Sequence, residues 1–445
     1  MTSILLCIVA AVVAFLAGRR SLVTGLGTIL GVGYAYGITR ANLGQTGTHF
    51  LFDAAVGGFF LARLTVRADP DARGIPRELL WWVALLIAWP LLLMAVPKQD
   101  PLVQLVGLRG NAFLLPFLLF GAQLSDEEKY ELALWFAALN IIAFIFAALE
   151  FQIGIEKFFP RNAVTIIMYM SNDVGEQYAY RIPGVFSSAH AYGGAMVATL
   201  PMLLGAWLSQ RGSALHKTLI AAAVFAASVG VFMSAARSHA VLLFVFLGFA
   251  TIAARMSLLA RTGWFTLLAL IALLVAADAR LQRFTSLSDT GYLSDRVGGS
   301  VNETFVEDAL KYPMGNGLGG GGTSMPYFLE KRLHNQVQIE NEYARIMLEQ
   351  GIPGLVLWMV FVGWLLTRLG YEPDSAWKNA RVMAWCVTFV SFGSAIIGTG
   401  LLTSIPQTAI FLLNAGWLSD GKRRESKEEM SDEWPGDALP ARRAS

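Results

Sequence analysis

The sequence predicts an all-helical protein that crosses a membrane many times. Apolar residues make up 55% of the 445-residue chain and charged residues only 15%, whereas a soluble domain carries about 25% charge. The mean hydropathy is +0.53, and the apolar runs are too many and too long for buried core helices. These observations exclude an ordinary soluble enzyme and predict about 12–13 transmembrane helices in one bundle.

Each apolar segment of about 17 to 25 residues is interpreted as a span, because a helix of that length crosses a bilayer. The first segment is expected to stay as a helix rather than be cleaved as a signal peptide, since no basic residue precedes it and Arg19 and Arg20 follow it. The predicted spans lie at about 3–18, 21–38, 50–66, 79–96, 108–124, 131–153, 190–208, 217–234, 238–254, 263–279, 352–368, 380–398 and 403–418.

Basic residues are divided unevenly between the short connections, and this division predicts the orientation of the chain. With Arg19 and Arg20 inside, the inner connections hold 14 Lys and Arg residues, and the outer ones hold four, namely Arg40, Lys98, Arg109 and Arg237. The polar, Glu-rich C-terminal tail falls on the inner face and has the composition of a disordered segment. We therefore expect the tail to be cytoplasmic.

Two connections are far longer than the rest, and both fall on the outer face. Loops of this length usually carry function. The predicted organisation is N-terminal transmembrane helices at 1–153, an outer loop at 154–189, transmembrane helices at 190–279, a large outer loop with the candidate motif at 280–351, C-terminal transmembrane helices at 352–418 and a disordered cytoplasmic tail at 419–445.

The second outer loop contains a Gly-rich run at 315–322 that matches the pattern GxGxxG. A dinucleotide-binding turn follows a strand within a βαβ unit, and the sequence indicates neither. We interpret the run as a flexible turn, with a contribution of its backbone amides to anion binding as the alternative.

Two arginines lie on the outer face beside the ends of spans. Arg181 closes the first outer loop shortly before His190, and Arg237 lies in a very short outer turn. Positive charge on outer connections opposes the usual bias, which indicates that these residues bind an anion. The alternatives are an interfacial Arg181 that extends its charge to water and an Arg237 that binds the terminal carbonyls of a helix.

A third polar segment begins at Glu340 and is predicted to form a short outer helix that ends at Gly351. On that helix Asn341 and Arg345 share a face. Glu342 and Arg345 could simply form a surface salt bridge. Glu340 has no cation obviously committed to it, which favours a functional interpretation of its carboxylate.

Two guanidinium groups and a carboxylate at one membrane surface suit a lipid-linked diphosphate. Arg binds phosphate bidentately, and a carboxylate can accept the proton of an attacking hydroxyl. The outer face shows no DxD-like or His-rich metal cluster, so cationic side chains would stabilise the leaving diphosphate. We expect glycosyl transfer from a lipid carrier, with Glu340, Arg181 and Arg237 as catalytic residues. The candidate substrate-binding residues are Asn341, Arg345, Tyr180, His190 and Arg296.

The order of these motifs resembles that in the O-antigen ligase and polymerase family of bacterial envelope enzymes. That family has an Arg-x-x-Gly-x-Phe stretch, a Ser-x-x-Arg-type turn, a Pro-x-Gly-x-Gly approach and a His-Asn-x9-Gly-x-x-Gly motif. The matching stretches, within about 180–368, are Arg181 to Phe186, Arg237-Ser238, Ala309 to Gly317, and Asn341 with Gly351 and Gly354. Glu340 occupies the position of the family's His.

Because Glu340 stands where the family has His, the chain looks more like a polymerase than a ligase. The family's ligases resemble one another in using that His, whereas its polymerases often have an acidic residue at the same position. The resemblance implies a GT-C-like fold, an undecaprenyl-diphosphate-linked glycan, outer loops in the periplasm and a place in the bacterial inner membrane. It implies a metal-independent reaction and no cofactor. Besides the lipid bilayer, a chain-length regulator and a flippase are the partners to expect.

The predicted function is therefore polymerisation of an O-antigen or exopolysaccharide on lipid-linked repeats. Ligation of the glycan to lipid A core or to a protein is the first alternative, and a transporter and a structural scaffold are the others. The spans are nearly free of Asp, Glu and Lys apart from their ends, which disfavours transport. A net charge of +2 gives no indication of nucleic acid as a partner, and Cys7 and Cys386 indicate neither a disulfide nor a zinc site.

Overall fold

A computed structural model of the chain describes residues 2–66, 74–170, 180–209, 211–253, 304–321, 325–337, 339, 341–368 and 377–419, with isolated residues between 262 and 291. Every regular element within these residues is helical. Short 3-10 helices lie at Thr46–Phe50, Ile155–Lys157 and Glu330–Arg332. The α-helices are α1 Thr2–Arg20, α2 Leu22–Leu43, α3 Leu51–Thr65, α4 Arg77–Leu93, α5 Pro101–Ala112, α6 Phe117–Gln123, α7 Asp126–Ile153, α8 Ile166–Met170, α9 Ala189–Leu208, α10 Ala214–Met233, α11 Arg237–Ala253, α12 Phe305–Lys311, α13 Glu342–Leu366, α14 Lys378–Ser394 and α15 Gln407–Leu418.

Seven helical stretches of the described residues are long and apolar enough to cross a membrane, so the chain is a multi-pass helical membrane protein. They are α1, α2, the α5–α6 pair, α7, α9, α10 and α13. Helix α1 exposes apolar side chains such as Ile4, Ile8 and Val12, as a helix facing lipid would. Helix α9 is almost wholly buried and packs against α7, α10, α14 and α15, which places it at the centre of the bundle.

Each predicted span overlaps a helix wherever it falls within the described residues. The span at 108–124 is divided, because the chain makes a turn over 113–116 and Pro116 has no backbone NH to continue helix α5. Most of the span predicted at 263–279 and of the tail at 419–445 lies outside the described residues. The count of about 12–13 spans therefore stays a prediction.

Polar side chains at the N-termini explain where several of these helices begin. An oxygen of the N-cap residue accepts a hydrogen bond from a backbone NH of the first turn, which would otherwise have no partner. At α7 the Glu128 carboxylate also binds the backbone NH of the cap residue, completing a capping box. The N-cap side chains that accept such a bond in α2, α7, α9, α10 and α13 are Ser21, Ser125, Ser188, Ser213 and Asn341.

One end of the bundle, which we call the motif end, carries the three polar segments singled out in the sequence. The backbone NH of Ile182 donates to the carbonyl of Met233 (3.3 Å), so the Arg181 segment lies against the end of α10. The carboxylate of Glu342 accepts the backbone NH of Gly400 (2.8 Å). This bond joins the start of α13 to the turn before α15.

The opposite end of the bundle, which we call the tail end, contains the last residue of α15. Charged side chains that the sequence predicts to be on the inner face lie here. Arg211 forms a salt bridge with Glu127 (2.6 Å). A guanidinium nitrogen of Arg63 lies 3.5 Å from the carbonyl oxygen of Gly18. The charges thus separate into two ends as the alternation of spans predicts, while the side of the membrane that each end faces stays a prediction.

Reporter fusions test that orientation. We expect a reporter that is active only outside the cytoplasm to be active when fused at Asn302 and inactive at Ser426, because the 14-to-4 division of basic residues places these positions on opposite sides. A reporter that is active only in the cytoplasm should give the reverse pattern. Activity of one reporter at both positions would contradict the topology.

Candidate functional site

The segment that carries Arg181 packs across the motif ends of α2, α7 and α10. The NH of Ile38 donates to the carbonyl of Val185 (3.0 Å). Gly184 has a φ of +58°, which glycine adopts at little cost, and its NH donates to the Glu150 carboxylate (2.9 Å). Arg181 itself is half-buried, and its Nε is buried with no hydrogen-bond partner among the described residues. This guanidinium nitrogen is thus a buried donor whose hydrogen-bonding capacity the described residues leave unused.

Arg237 begins α11, after a tight turn in which Ala235 has a φ of +49°. Two residues further on, the ring of His239 lies 4.3 Å from the ring of His190 at the start of α9, measured between centroids. The Arg181 segment contacts the end of α10 just before this turn. The fold therefore brings the segments of Arg181, His190 and Arg237 together.

Arg40, near the motif end of α2, is a further cation that the sequence places outside without assigning it to the site. Its guanidinium carbon lies 5.3 Å from the centre of the Tyr36 ring, and its Nε is buried without a partner among the described residues. His49, between two spans, is buried nearby. Desolvation lowers the pKa of His49 to about 4, with smaller contributions from Arg40 and Arg109, so this imidazole is neutral at pH 7.

The polar helix predicted after Glu340 forms the first part of α13. Gly351 has a φ of +73° and interrupts the helix, so the prediction that the polar part ends there is confirmed. The side-chain oxygen of Asn341 accepts the NH of Ala344 (2.6 Å), which gives this candidate substrate-binding residue a capping role. Glu340 and Arg296 lie outside the described residues.

Arg345 belongs to a buried network rather than to a surface salt bridge. Its guanidinium lies 2.8 Å from the Glu342 carboxylate and 2.9 Å from that of Glu349, and it donates to the side-chain oxygen of Asn111 (2.9 Å). The side chains of Arg345 and Glu342 are only 2% and 1% exposed. The interpretation of this couple as a surface pair is wrong, because α5 and the Gly400 turn cover it.

A narrow pocket opens beside this network, between α3, α5, α13, the Gly-rich turn and the chain at 402–405. Two ion pairs line it: Arg109 with Asp53, whose nearest atoms are 2.7 Å apart, and Arg345 with Glu349. The cavity volume is about 20 Å³, enough for one water-sized group. Sequence reasoning missed Asp53 and Arg109 as site residues, although Arg109 is one of four basic residues on the outer connections.

The Gly-rich run is confirmed as a turn over its described residues, 315–321, and it is tied to the loop before α5. The ammonium of Lys98 donates to the backbone carbonyl of Gly315 (2.6 Å), and the side-chain amide of Gln99 donates to the backbone carbonyl of Asn316 (2.9 Å). A Cβ added at Gly107 would lie 2.1 Å from the backbone nitrogen of Gly319. This contact lets the turn approach α5 closely enough to form one wall of the pocket.

Tyr180, another candidate substrate-binding residue, faces the first outer loop. Its hydroxyl accepts a hydrogen bond from Arg161 (3.1 Å), and its ring meets the Tyr169 ring edge to face at 5.3 Å between centroids. Both partners belong to the first outer loop, so packing within that loop accounts for the position of Tyr180.

The turn at 400–406, which we call the partition turn, lies between the two parts of the motif end. A Cβ on Gly400 would lie 3.8 Å from the His190 ring, and the NH of Gly400 binds Glu342. Leu402 and Thr403 of the same turn line the ion-paired pocket. One face of the turn thus meets the histidines and the other meets the pocket.

The fold and this arrangement define a multi-pass helical membrane protein with a polar site at one end of its bundle. No protein-family model matches the chain, and no curated protein matches it. Within the described part of the chain, no three His, Cys, Asp or Glu side chains are grouped so that they could hold a metal ion.

Proposed function

We propose that this protein is a polysaccharide polymerase of the O-antigen or exopolysaccharide type. It transfers an undecaprenyl-diphosphate-linked glycan to another lipid-linked repeat at the periplasmic face of a bacterial inner membrane, on a GT-C-like fold and without a metal. The observation that supports this most directly is the pair of half-buried arginines, Arg40 and Arg181, whose Nε donors have no partner among the described residues. Such donors fit a diphosphate at a membrane surface.

In the proposed reaction, the hydroxyl oxygen of the acceptor sugar attacks the anomeric carbon of the donor. The bond from that carbon to the diphosphate oxygen breaks, and its electron pair leaves with the diphosphate. Arg181 and Arg237 donate hydrogen bonds to the departing phosphate oxygens, which carry more negative charge as the bond breaks. Glu340 accepts the proton of the hydroxyl; in the alternative, Glu340 only orients the hydroxyl and the departing diphosphate takes the proton.

Ligation of the finished glycan to lipid A core or to a protein uses the same chemistry and is the alternative within this class. Glycan gel profiles of a deletion strain separate the two. Loss of a polymerase leaves single repeats attached to their acceptor, which is the result we expect. Loss of a ligase leaves long polymer on the lipid carrier. An unchanged profile would contradict both.

Replacing Glu340 with Gln should lower polymer formation on the order of a hundredfold, because the amide keeps the size and hydrogen-bonding capacity of the side chain but removes its basicity. Glu340→His should restore part of that activity if this position holds the base. The measurement is polymer formation in membranes, normalised to the amount of protein. Glu330→Gln, an exposed carboxylate of the same loop, is the control. If Glu340→Gln kept the activity of the parent protein, the Glu340 carboxylate would have a structural role and would not be the base.

A further inference from the structure

The ion-paired pocket differs in its electrostatics from the arginines on the other side of the partition turn. Its charged lining residues are Asp53, Arg109, Arg345 and Glu349, two of each sign. Each guanidinium contacts a carboxylate, at 2.7 Å for Arg109 and 2.9 Å for Arg345. A free anion gains little here, because carboxylates already contact both guanidinium groups, and a free cation would be repelled by those same guanidinium groups. The pocket therefore favours an uncharged ligand.

The lining also offers both kinds of hydrogen-bonding group. Carboxylates only accept hydrogen bonds, and guanidinium groups only donate them. A ligand hydroxyl can donate to one wall and accept from the other. Phe113 and Leu402 add apolar surface beside these groups, which suits the C–H faces of a sugar.

The size of the cavity limits what enters it. At about 20 Å³ it admits one water-sized group, such as a single hydroxyl, while the rest of the ligand stays at its mouth. We infer that the pocket is a recognition site for one hydroxyl group of an uncharged sugar residue, held between the Arg109–Asp53 and Arg345–Glu349 pairs.

The partition turn gives this site a place relative to the arginines. Thr403 faces the pocket, whereas Gly400 faces His190 on the side of Arg181 and Arg237. The sugar is thus held on one side of the turn and the diphosphate on the other. The identity of that sugar as part of a lipid-linked glycan rests on the proposed function, but binding of the sugar itself does not.

Gly110 in α5 allows the pocket to be filled without disturbing the fold. It lines the cavity, and the nearest heavy atom to an added Cβ is the Thr403 methyl carbon, at 3.9 Å. Gly110→Ala therefore adds a methyl without a clash, in a helix that favours Ala over Gly. Gly110→Val fills more of the same space. Gly57 in α3 has open space around its added Cβ, so Gly57→Ala and Gly57→Val are matched controls.

The probes are the methyl glycosides of glucose, galactose, mannose and N-acetylglucosamine, offered to the full-length protein in nanodiscs and detected by saturation-transfer NMR. The parent protein and the Gly57 variants should bind at least one of them. Affinity for the glycoside should fall about tenfold in Gly110→Ala and further in Gly110→Val, because an added methyl group occupies space that the ligand hydroxyl needs. Thermal unfolding verifies that each variant is folded.

Three results would overturn the inference: no glycoside binds the parent protein, binding survives in the folded Gly110 variants, or the Gly57 variants lose binding equally. Binding of inorganic pyrophosphate, measured by calorimetry, shows whether the proposed function fails independently of the sugar site. Pyrophosphate binding that Arg181→Lys weakens, without any glycoside binding, removes the sugar site and leaves the proposed function supported. Glycoside binding that Gly110→Val abolishes, without any pyrophosphate binding, supports the sugar site and removes the support for the proposed function.

Discussion

Replacing Arg181 or Arg237 with Lys should reduce polymer formation about a hundredfold or more, with the protein still inserted in the membrane at its normal level. Removing one donor from an oxyanion-type site costs about 10²–10³ in kcat. Lys keeps the charge, but it lacks the planar fork that binds two phosphate oxygens and the Nε donor that Arg181 presents without a partner among the described residues. The measurement is polymer made in membranes from a lipid-linked repeat.

Arg332→Lys is the matched control for these variants. Arg332 is exposed and pairs with Asp100 at 3.3 Å, at the motif end but among loop residues. A surface pair of this kind contributes about 0–1 kcal/mol, and its loss should not change activity. Normal polymer levels in both the Arg181 and the Arg237 variant would show that these residues do not hold the diphosphate.

Glu342→Ala should lower the free energy of unfolding by about 2–6 kcal/mol. The substitution removes one of the two carboxylates that contact the buried Arg345 guanidinium, and it leaves the NH of Gly400 without its acceptor. Arg345 keeps its pair with Glu349, so the loss comes from the donors of Arg345 and Gly400 that are left without an acceptor, each costing about 1–3 kcal/mol, which exceeds the loss of a surface pair. Unfolding of the purified protein in detergent, followed by circular dichroism, measures the change.

Glu156→Ala is the comparison for this prediction. Glu156 pairs with Arg161 at 2.5 Å, yet both side chains are more than half exposed. Its removal should cost no more than about 1 kcal/mol. Equal losses in the two variants would show that the buried network around Arg345 does not stabilise α13 against the partition turn.

The positions of the helices, and the placement of the Arg181 and Arg237 segments at one end of the bundle, could be predicted because both follow from local patterns. Apolar length predicts the spans, and the alternation of short loops assigns the ends that carry Arg181 and Arg237 to one face. The interruption of α13 at Gly351 is equally local, since glycine readily adopts the positive φ observed there.

The pocket and its network could not be predicted, because their partners are far apart in sequence. Asp53 and Arg109 are 56 residues apart, and Asn111 lies 234 residues from Arg345. The spacing of Glu342 and Arg345 fits a surface pair as well as a buried one, and only the packing of α5 and the partition turn decides between them. The available signal was Asp53, an ionisable residue in the first turn of an apolar span.

Reconstitution tests the central claim most directly. The full-length protein in liposomes would receive one defined undecaprenyl-diphosphate-linked repeat, with a chelator present and no acceptor other than the repeat itself. The account predicts a ladder of products with two and more repeats, each still carrier-linked, together with released undecaprenyl diphosphate, and loss of both in Arg181→Lys. Unchanged single repeats in the presence of folded protein, or transfer only after lipid A core is added, would contradict polymerisation.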